Sequence, residues 1–194
     1  MLVAALQAAK INIAGIVDAD PILAGQKILD VPILGDDTLI EGYDAGSINL
    51  VNGIGSTGVS KRRREIFEHY STKCYRFADV IHPSAIIDTD ASIDEGVQIM
   101  AGAIVQAGCK IGRNTIINTG AQIDHDCTIG AHCHIAPGAI LCGGVVVGAG
   151  SHVGAGATIL QNIRLGNGSM VRAASLVATS VPETGESSDR MGTQ

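Results

Sequence analysis

From Ile81 onward an aliphatic side chain returns at every sixth position, through Ile87, Ile93, Ile99, Val105, Ile111, Ile117 and so on without a slip to Val171 and Val177. Four residues after each anchor stands a small or short side chain, among them Ala85, Ala103, Cys109, Ala121, Cys127, Cys133, Ala139 and Ser151, with Ile163 the larger exception. Neither the helical period of about 3.6 nor the strand period of about two produces this spacing. A triangular solenoid does, because each flat side needs one large inward residue and one small one near the corner. Three sides close one turn, so residues 18 apart should stack at the sheet spacing of roughly 4.8 Å. The pattern predicts a left-handed parallel β-helix over residues 81–181, of about five coils, whose hand runs against the usual right-handed crossover. Gly, Asp or Asn often follows the anchor, as at Asp88, Gly112, Asp124, Gly130 and Gly148, and these are the expected turn positions.

Composition agrees with a core of small and branched aliphatics: there are 25 Gly, no Trp, two Phe and three Tyr. The formal net charge is -6, and the basic residues do not gather with aromatics into a stripe, which argues against a nucleic-acid partner. The one basic run, Lys61 to Arg64, reads as the solvated face or the start of a helix. The apolar opening of the chain is too short to span a membrane and lacks a basic leader, so no membrane insertion is expected. Five cysteines without a secretory signal fit free thiols in a reducing cytoplasm.

Residues 1–80 lack the repeat. They read as helix (2–10), strand (11–18), a loop carrying ILDVPILGDD, strand (48–55), helix (61–71) and a short strand near 75–80, which together predict a small Rossmann-like α/β domain. Such domains bind ligands at the carboxyl ends of their strands, here near Asp18 and near Gly53 and Gly55 in NLVNGIGSTG. Asp18 can equally cap a turn, and the glycines can simply make one. A polar tail is expected over 182–194, disordered beyond about Pro182.

The stretch DHDCTIGAHCHIAPG, Asp124 to Gly138, looks like a reactive cluster. The six-residue register divides it. Cys127 and Cys133, with Cys109, fall on the small inward position as core thiols, whereas His125, His132 and His134 point outward, so a zinc site mixing these ligands is not expected. Histidine suits a proton acceptor near neutrality, and a neighbouring carboxylate can fix its tautomer. Asp124 and Asp126 both flank His125, and the strand alternation favours neither. Gly143, 18 residues on, should lie on the rung beside His125, leaving room for a reacting group and offering an N–H to a developing oxyanion. His152 should stack beside His134, either as a partner supporting it from behind or, the preferred reading, as a plain surface residue; His132 and His82 read as structural or solvent-facing.

With an α/β segment, IHPSA leading into the coils, and then INTGAQIDHDCTIGAHCHIAPGAILCGGVVVGAGSHVGAGATI, the chain resembles the bacterial nucleotide-sugar acetyltransferases of amino-sugar pathways, the bacillosamine and perosamine N-acetyltransferases and their sialic acid O-acetylating relatives. The resemblance covers roughly residues 3–180. It implies a homotrimer that uses acetyl-CoA as co-substrate, in a cleft between neighbouring β-helices, without a metal. It further implies that His125 is the general base and that Asp126 raises its basicity. His134, Gly143, Ala155 and Ala173 would contact the coenzyme, and Asp18 and Gly55 the nucleotide sugar.

The expected reaction is therefore N-acetylation of a nucleotide-linked amino sugar. O-acetylation of a sugar hydroxyl is the close alternative, since the same base serves either nucleophile. A zinc hydratase using His125, His134 and His152 fits poorly with the acidic flank of His125. Members of the family begin with a strand and a Gly-rich turn and end in a Gly-x-Pro-Ala loop; here Met1 stands directly before the following helix and the loop is absent. That departure makes a truncated homologue of weak activity a further expectation.

Overall fold

A short helix, α1 (Leu2–Ala8), opens the computed structural model, which describes residues 1–55 and 61–187. It buries Ala5 and Leu6 against Val80 and Met100, so the N-terminal region sits directly on the first coil. Strand β1 (Ile16–Val17) pairs in parallel with β3 (Val31–Gly35), and β2 (Lys27–Ile28) pairs antiparallel to β3. A separate parallel pair joins β4 (Asn49–Leu50) to β5 (Arg76–Phe77), with α2 (Lys61–Thr72) between them in sequence. All Phe and Tyr residues of the chain precede the repeat. Phe67, Tyr70, Tyr75 and Phe77 form one cluster under α2 with Ile40, and Phe67 stacks on Phe77 at 4.4 Å.

Both predicted helices form, though α1 ends at Ala8 because Lys10 turns left-handed at φ 58°. The two long predicted strands contract to two residues each, and the sheet is broken in two rather than continuous. The ILDVPILGDD segment, read as a loop, contains the β2–β3 hairpin. Its turn residues Leu29 and Asp30 both have positive φ, the geometry of a tight two-residue hairpin. Leu-Asp is not the usual Asn-Gly signal, and Pro32 argues against a strand except at an edge. Residues 56–58 of the NLVNGIGSTG stretch lie outside the described residues.

The repeat folds into a left-handed β-helix of three parallel sheets built from two-residue strands. Face one runs from Val80–Ile81 through Gln98–Ile99, Ile116–Ile117, His134–Ile135, His152–Val153 and Met170–Val171 to Glu186–Ser187. Face two stacks Ile86–Ile87 to Leu176–Val177, and face three Ser92–Ile93 to Arg164–Leu165. From Val80 to Val177 each rung pairs with residues 18 positions on, as with Ile117 and Ile135, and the last coil shortens to 16, as with Met170 and Glu186. Anchors from Ile99 to Val177 form one buried column with Cys109, Cys127 and Cys133, while Ile81, at the open end, is 38% exposed.

The corners differ from expectation in one respect. Left-handed backbone recurs every six residues at the third position after the anchor, from Gly102 and Gly108 through Asn114, Asp126 and His132 to Asn162, not directly after the anchor. The glycines that do follow an anchor answer to a different demand. A Cβ on Gly112 would lie 2.6 Å from the backbone nitrogen of Ala131, so close approach of the next coil requires glycine there. At the other end the ladder continues past residue 181: Val181 bridges to Leu165, and Glu186–Ser187 pairs with Met170–Val171. Residues 188–194 of the expected tail lie outside the described residues.

Candidate active site

His125 and Asp126 form the corner between faces two and three, following the strand Gln122–Ile123 and preceding Thr128–Ile129. Asp126 is left-handed at φ 60°, a conformation that Asp tolerates better than most residues. That backbone brings its carboxylate onto the imidazole: Nδ1 of His125 lies 2.8 Å from Oδ2 of Asp126. Asp124 does something else, accepting the backbone N–H of His125 at 2.8 Å and so shaping the corner. The two flanking carboxylates, indistinguishable by alternation, are thus separated by geometry: one holds the ring and the other the main chain.

The Asp126 carboxylate hydrogen bond, aided by the charge of Asp124, raises the pKa of His125 above its ordinary value. With Nδ1–H donated to Asp126, Nε2 carries the lone pair. Gly143 stacks one coil above, and a Cβ there would lie 2.5 Å from Nε2. The space that the missing side chain leaves is therefore filled by the imidazole itself, not left for another group. A second glycine plays the same part for the carboxylate: a Cβ on Gly108 would meet Oδ1 of Asp126 at 2.5 Å. Sequence reading missed Gly108, although subtracting 18 from 126 points to it as plainly as adding 18 to 125 points to Gly143.

The other expected coenzyme contacts lie elsewhere on the prism. His134 is on face one, and Ala155 and Ala173 are turn residues at the corner between faces one and two. The corner that bears His125 is the vertex opposite face one. A single chain therefore does not bring His134 near His125, contrary to their closeness in sequence. Asn118 donates its amide to Nε2 of His134 at 3.1 Å, and His152 packs edge-on to His134 at 4.9 Å. His152 is half-buried, not a surface residue: its Nδ1 is buried without a partner, and desolvation lowers its pKa.

His132, also outward from its coil, is covered by α2. Its Nε2 faces Glu68 at 3.0 Å and its Nδ1 faces the Asn114 amide at 2.9 Å. His82 meets the Ser84 hydroxyl at 2.8 Å and shapes the entry to the first coil. Cys127 donates to the carbonyl of Cys142 at 3.2 Å, and burial pushes the Cys133 thiol up to about 11, so both are packing thiols. Asp18 accepts the N–H of Asp20 at 2.9 Å, the turn-capping contact foreseen as its bland role. Gly53 and Gly55 are exposed, and among the described residues nothing lies within 4 Å of where a Cβ would stand. Among the described residues no three His, Cys, Asp or Glu side chains group to hold a metal, and no helix is long and apolar enough to cross a membrane.

Comparison with known proteins matches this architecture. The bacterial transferase hexapeptide (six repeats) family model matches residues 90–125, 108–143 and 126–161. A variant of perosamine N-acetyltransferase from Caulobacter crescentus, solved with CoA and GDP-perosamine, is 33% identical with a TM-score of 0.87, over 95% of this chain and 86% of that one. The acetyltransferase domain of PglB from Neisseria gonorrhoeae in complex with acetyl coenzyme A is 30% identical with a TM-score of 0.84, over 95% and 86%. WeeI from Acinetobacter baumannii, at 21% identity and a TM-score of 0.73 over 95% and 87%, shares the fold. No protein of curated function matches. With its six-residue prism and full-length likeness to these enzymes, the chain belongs to the bacterial hexapeptide-repeat acetyltransferases, alongside perosamine N-acetyltransferase and the PglB acetyltransferase domain.

Proposed function

We propose that the protein moves the acetyl group of acetyl-CoA onto the amino group of a nucleotide-linked amino sugar, with His125 as general base. The observation that carries this reading is the His125–Asp126 contact, 2.8 Å, on a corner flanked by Gly108 and Gly143. Nε2 takes the proton that the amine loses as it attacks the thioester carbonyl. Asp126 stabilises the imidazolium that results, and the same proton can then pass to the departing thiolate. The backbone N–H of Gly143 is the proposed oxyanion contact. His134, Ala155 and Ala173 would hold the coenzyme, and Asp18 and Gly55 the nucleotide sugar.

The placement of His134 and His125 on opposite parts of one prism supports a shared site. In a closed homotrimer, face one and its corner on one copy stand against the His125 corner of the next. The α/β region (1–80) would then present the nucleotide sugar and the β-helix (81–181) the coenzyme. Acetyl-CoA and nucleotide sugars both belong to the cytoplasm, where the free thiols also fit.

Turnover of acetyl-CoA should be measured against UDP- and GDP-linked 4-amino sugars and against free sialic acid. Acetylation of a nucleotide-linked amine is expected; turnover with sialic acid alone would establish the O-acetylating alternative instead.

A further inference from the structure

The run Lys61 to Arg64, read as the solvated face or the start of a helix, does start α2 but hides one of its charges. Lys61, Arg62 and Arg64 are exposed, but Arg63 is 4% exposed and is the only buried Lys, Arg, Asp or Glu among the described residues. Its Nη1 donates to the carbonyls of Asn52 and Ile54, each at 2.8 Å, and its Nε to the carbonyl of Asn114 at 3.3 Å. Among the described residues Nη2 is buried without a partner and no carboxylate forms an ion pair with the guanidinium. Desolvating an unpaired guanidinium is costly, and the first turn of α2 places it at the positive end of the helix. An apolar residue would be cheaper to bury here, so packing alone does not account for the arginine.

Its hydrogen bonds do. The carbonyls of Asn52 and Ile54 belong to the loop that leaves β4 and carries Gly53 and Gly55. The same loop is held from the coil side, where the buried Gln98 amide donates to the Asn52 carbonyl at 2.8 Å. Asn52 in turn donates to the Arg63 carbonyl at 2.9 Å and to the Asn114 side chain at 3.3 Å, and accepts the N–H of Ile54 at 3.2 Å. Asn114, fully buried on the coil, continues to His132. Only a rigid planar fork can reach carbonyls of the loop and of the coil at once; a lysine ammonium is a single point.

We propose that Arg63 is a positioning residue: it locks the Asn52–Gly55 loop to the first coils, fixing the backbone at Gly55 on which the nucleotide sugar rests. The part that concerns the sugar rests on the function proposed above.

Two measurements on the full chain test it. Amide hydrogen exchange needs no substrate: in Arg63→Met the Ile54 amide, held by Asn52, should exchange about tenfold faster or more, while those of Ile117 and Ile135 keep their wild-type rates. In steady-state kinetics the KM for the nucleotide sugar should rise about tenfold, with kcat and the KM for acetyl-CoA within about twofold. Arg63→Lys should retain most of both defects. Unchanged exchange at Ile54, full rescue by lysine, or equal losses for both substrates that follow the melting temperature would each overturn the proposal. Should the Arg63 variants fail to fold, Gln98→Met removes the coil-side bond to the same carbonyl and should move both readouts in the same direction, about threefold; no movement there overturns it as well. If wild type turns over no nucleotide sugar, the proposed function fails on its own, and the exchange rates still decide the role of Arg63.

Discussion

At the scale of single residues, the corner at Asp124–Asp126 assigns three adjacent side chains three different tasks. His125→Ala should lower turnover by on the order of 10² to 10⁴ with the fold intact, measured as kcat beside a melting curve. Asp126→Asn should leave the ring in place but remove the carboxylate bond that raises its pKa. A general base works in its neutral form, so a raised pKa on His125 in the proposed role sets the rising limb of the pH profile above the ordinary histidine value. The variant's limb should therefore move to lower pH, with a smaller loss at the plateau; a limb that stays put would exclude Asp126 from this role. Gly143→Ala is a sharper test of geometry. Its Cβ would lie 2.5 Å from Nε2, so the imidazole must move, and turnover should fall about a hundredfold with little change in melting temperature.

At the scale of elements, two packing devices hold the site in place. The first is the inward column of the coil, where Cys127 sits next to Asp126 in sequence but faces the opposite way. Cys127→Ser should cost about 1–3 kcal/mol in a denaturant titration through burial of a more polar group, with kcat unchanged. The second is the docking of α2, where His132 lies between Glu68 and Asn114 with the edge of Phe67 at 5.5 Å. Burial, reinforced by Arg64 and Arg113 and opposed by Glu68, lowers the pKa of His132 from 6.5. A histidine with a lowered folded pKa contributes stability that is present above the unfolded value and is lost as pH falls through the window below it. The melting temperature should accordingly decline below about pH 6.5, and His132→Gln should make that decline shallower. It should not abolish it, because His152 is shifted in the same direction.

At the scale of the whole molecule, the vertex that carries His125 lies opposite the face that carries His134, so the proposed site draws on two copies of the prism. If the site is shared between copies, His125→Ala and His134→Ala subunits mixed after denaturation and refolding should recover activity that neither has alone. Random assortment would restore about one site in four. Activity that never recovers on mixing would put both groups in one subunit, against the topology of the three faces.

The sequence by itself determined the solenoid, because a period of six over some hundred residues leaves the chain no other way to bury the anchors from Ile99 to Val177 together. It also separated inward cysteines from outward histidines, since the register alone sets the direction of each side chain. Summing by 18 placed Gly143 beside His125, for the same reason. What it could not determine is everything that depends on contact across the coil wall or between regions. Asp124 and Asp126 are equal in a linear register and differ only because the left-handed corner swings one carboxylate onto the ring. His134 is nine residues from His125 in sequence yet half a coil away in space. Arg63 reads as one of four solvated cations, and only the docking of α2 on the coil turns it inward toward the carbonyls of the Asn52–Gly55 loop. Short-range periodicity fixes which way a side chain points; which group it meets there is settled by the long-range closure of the chain.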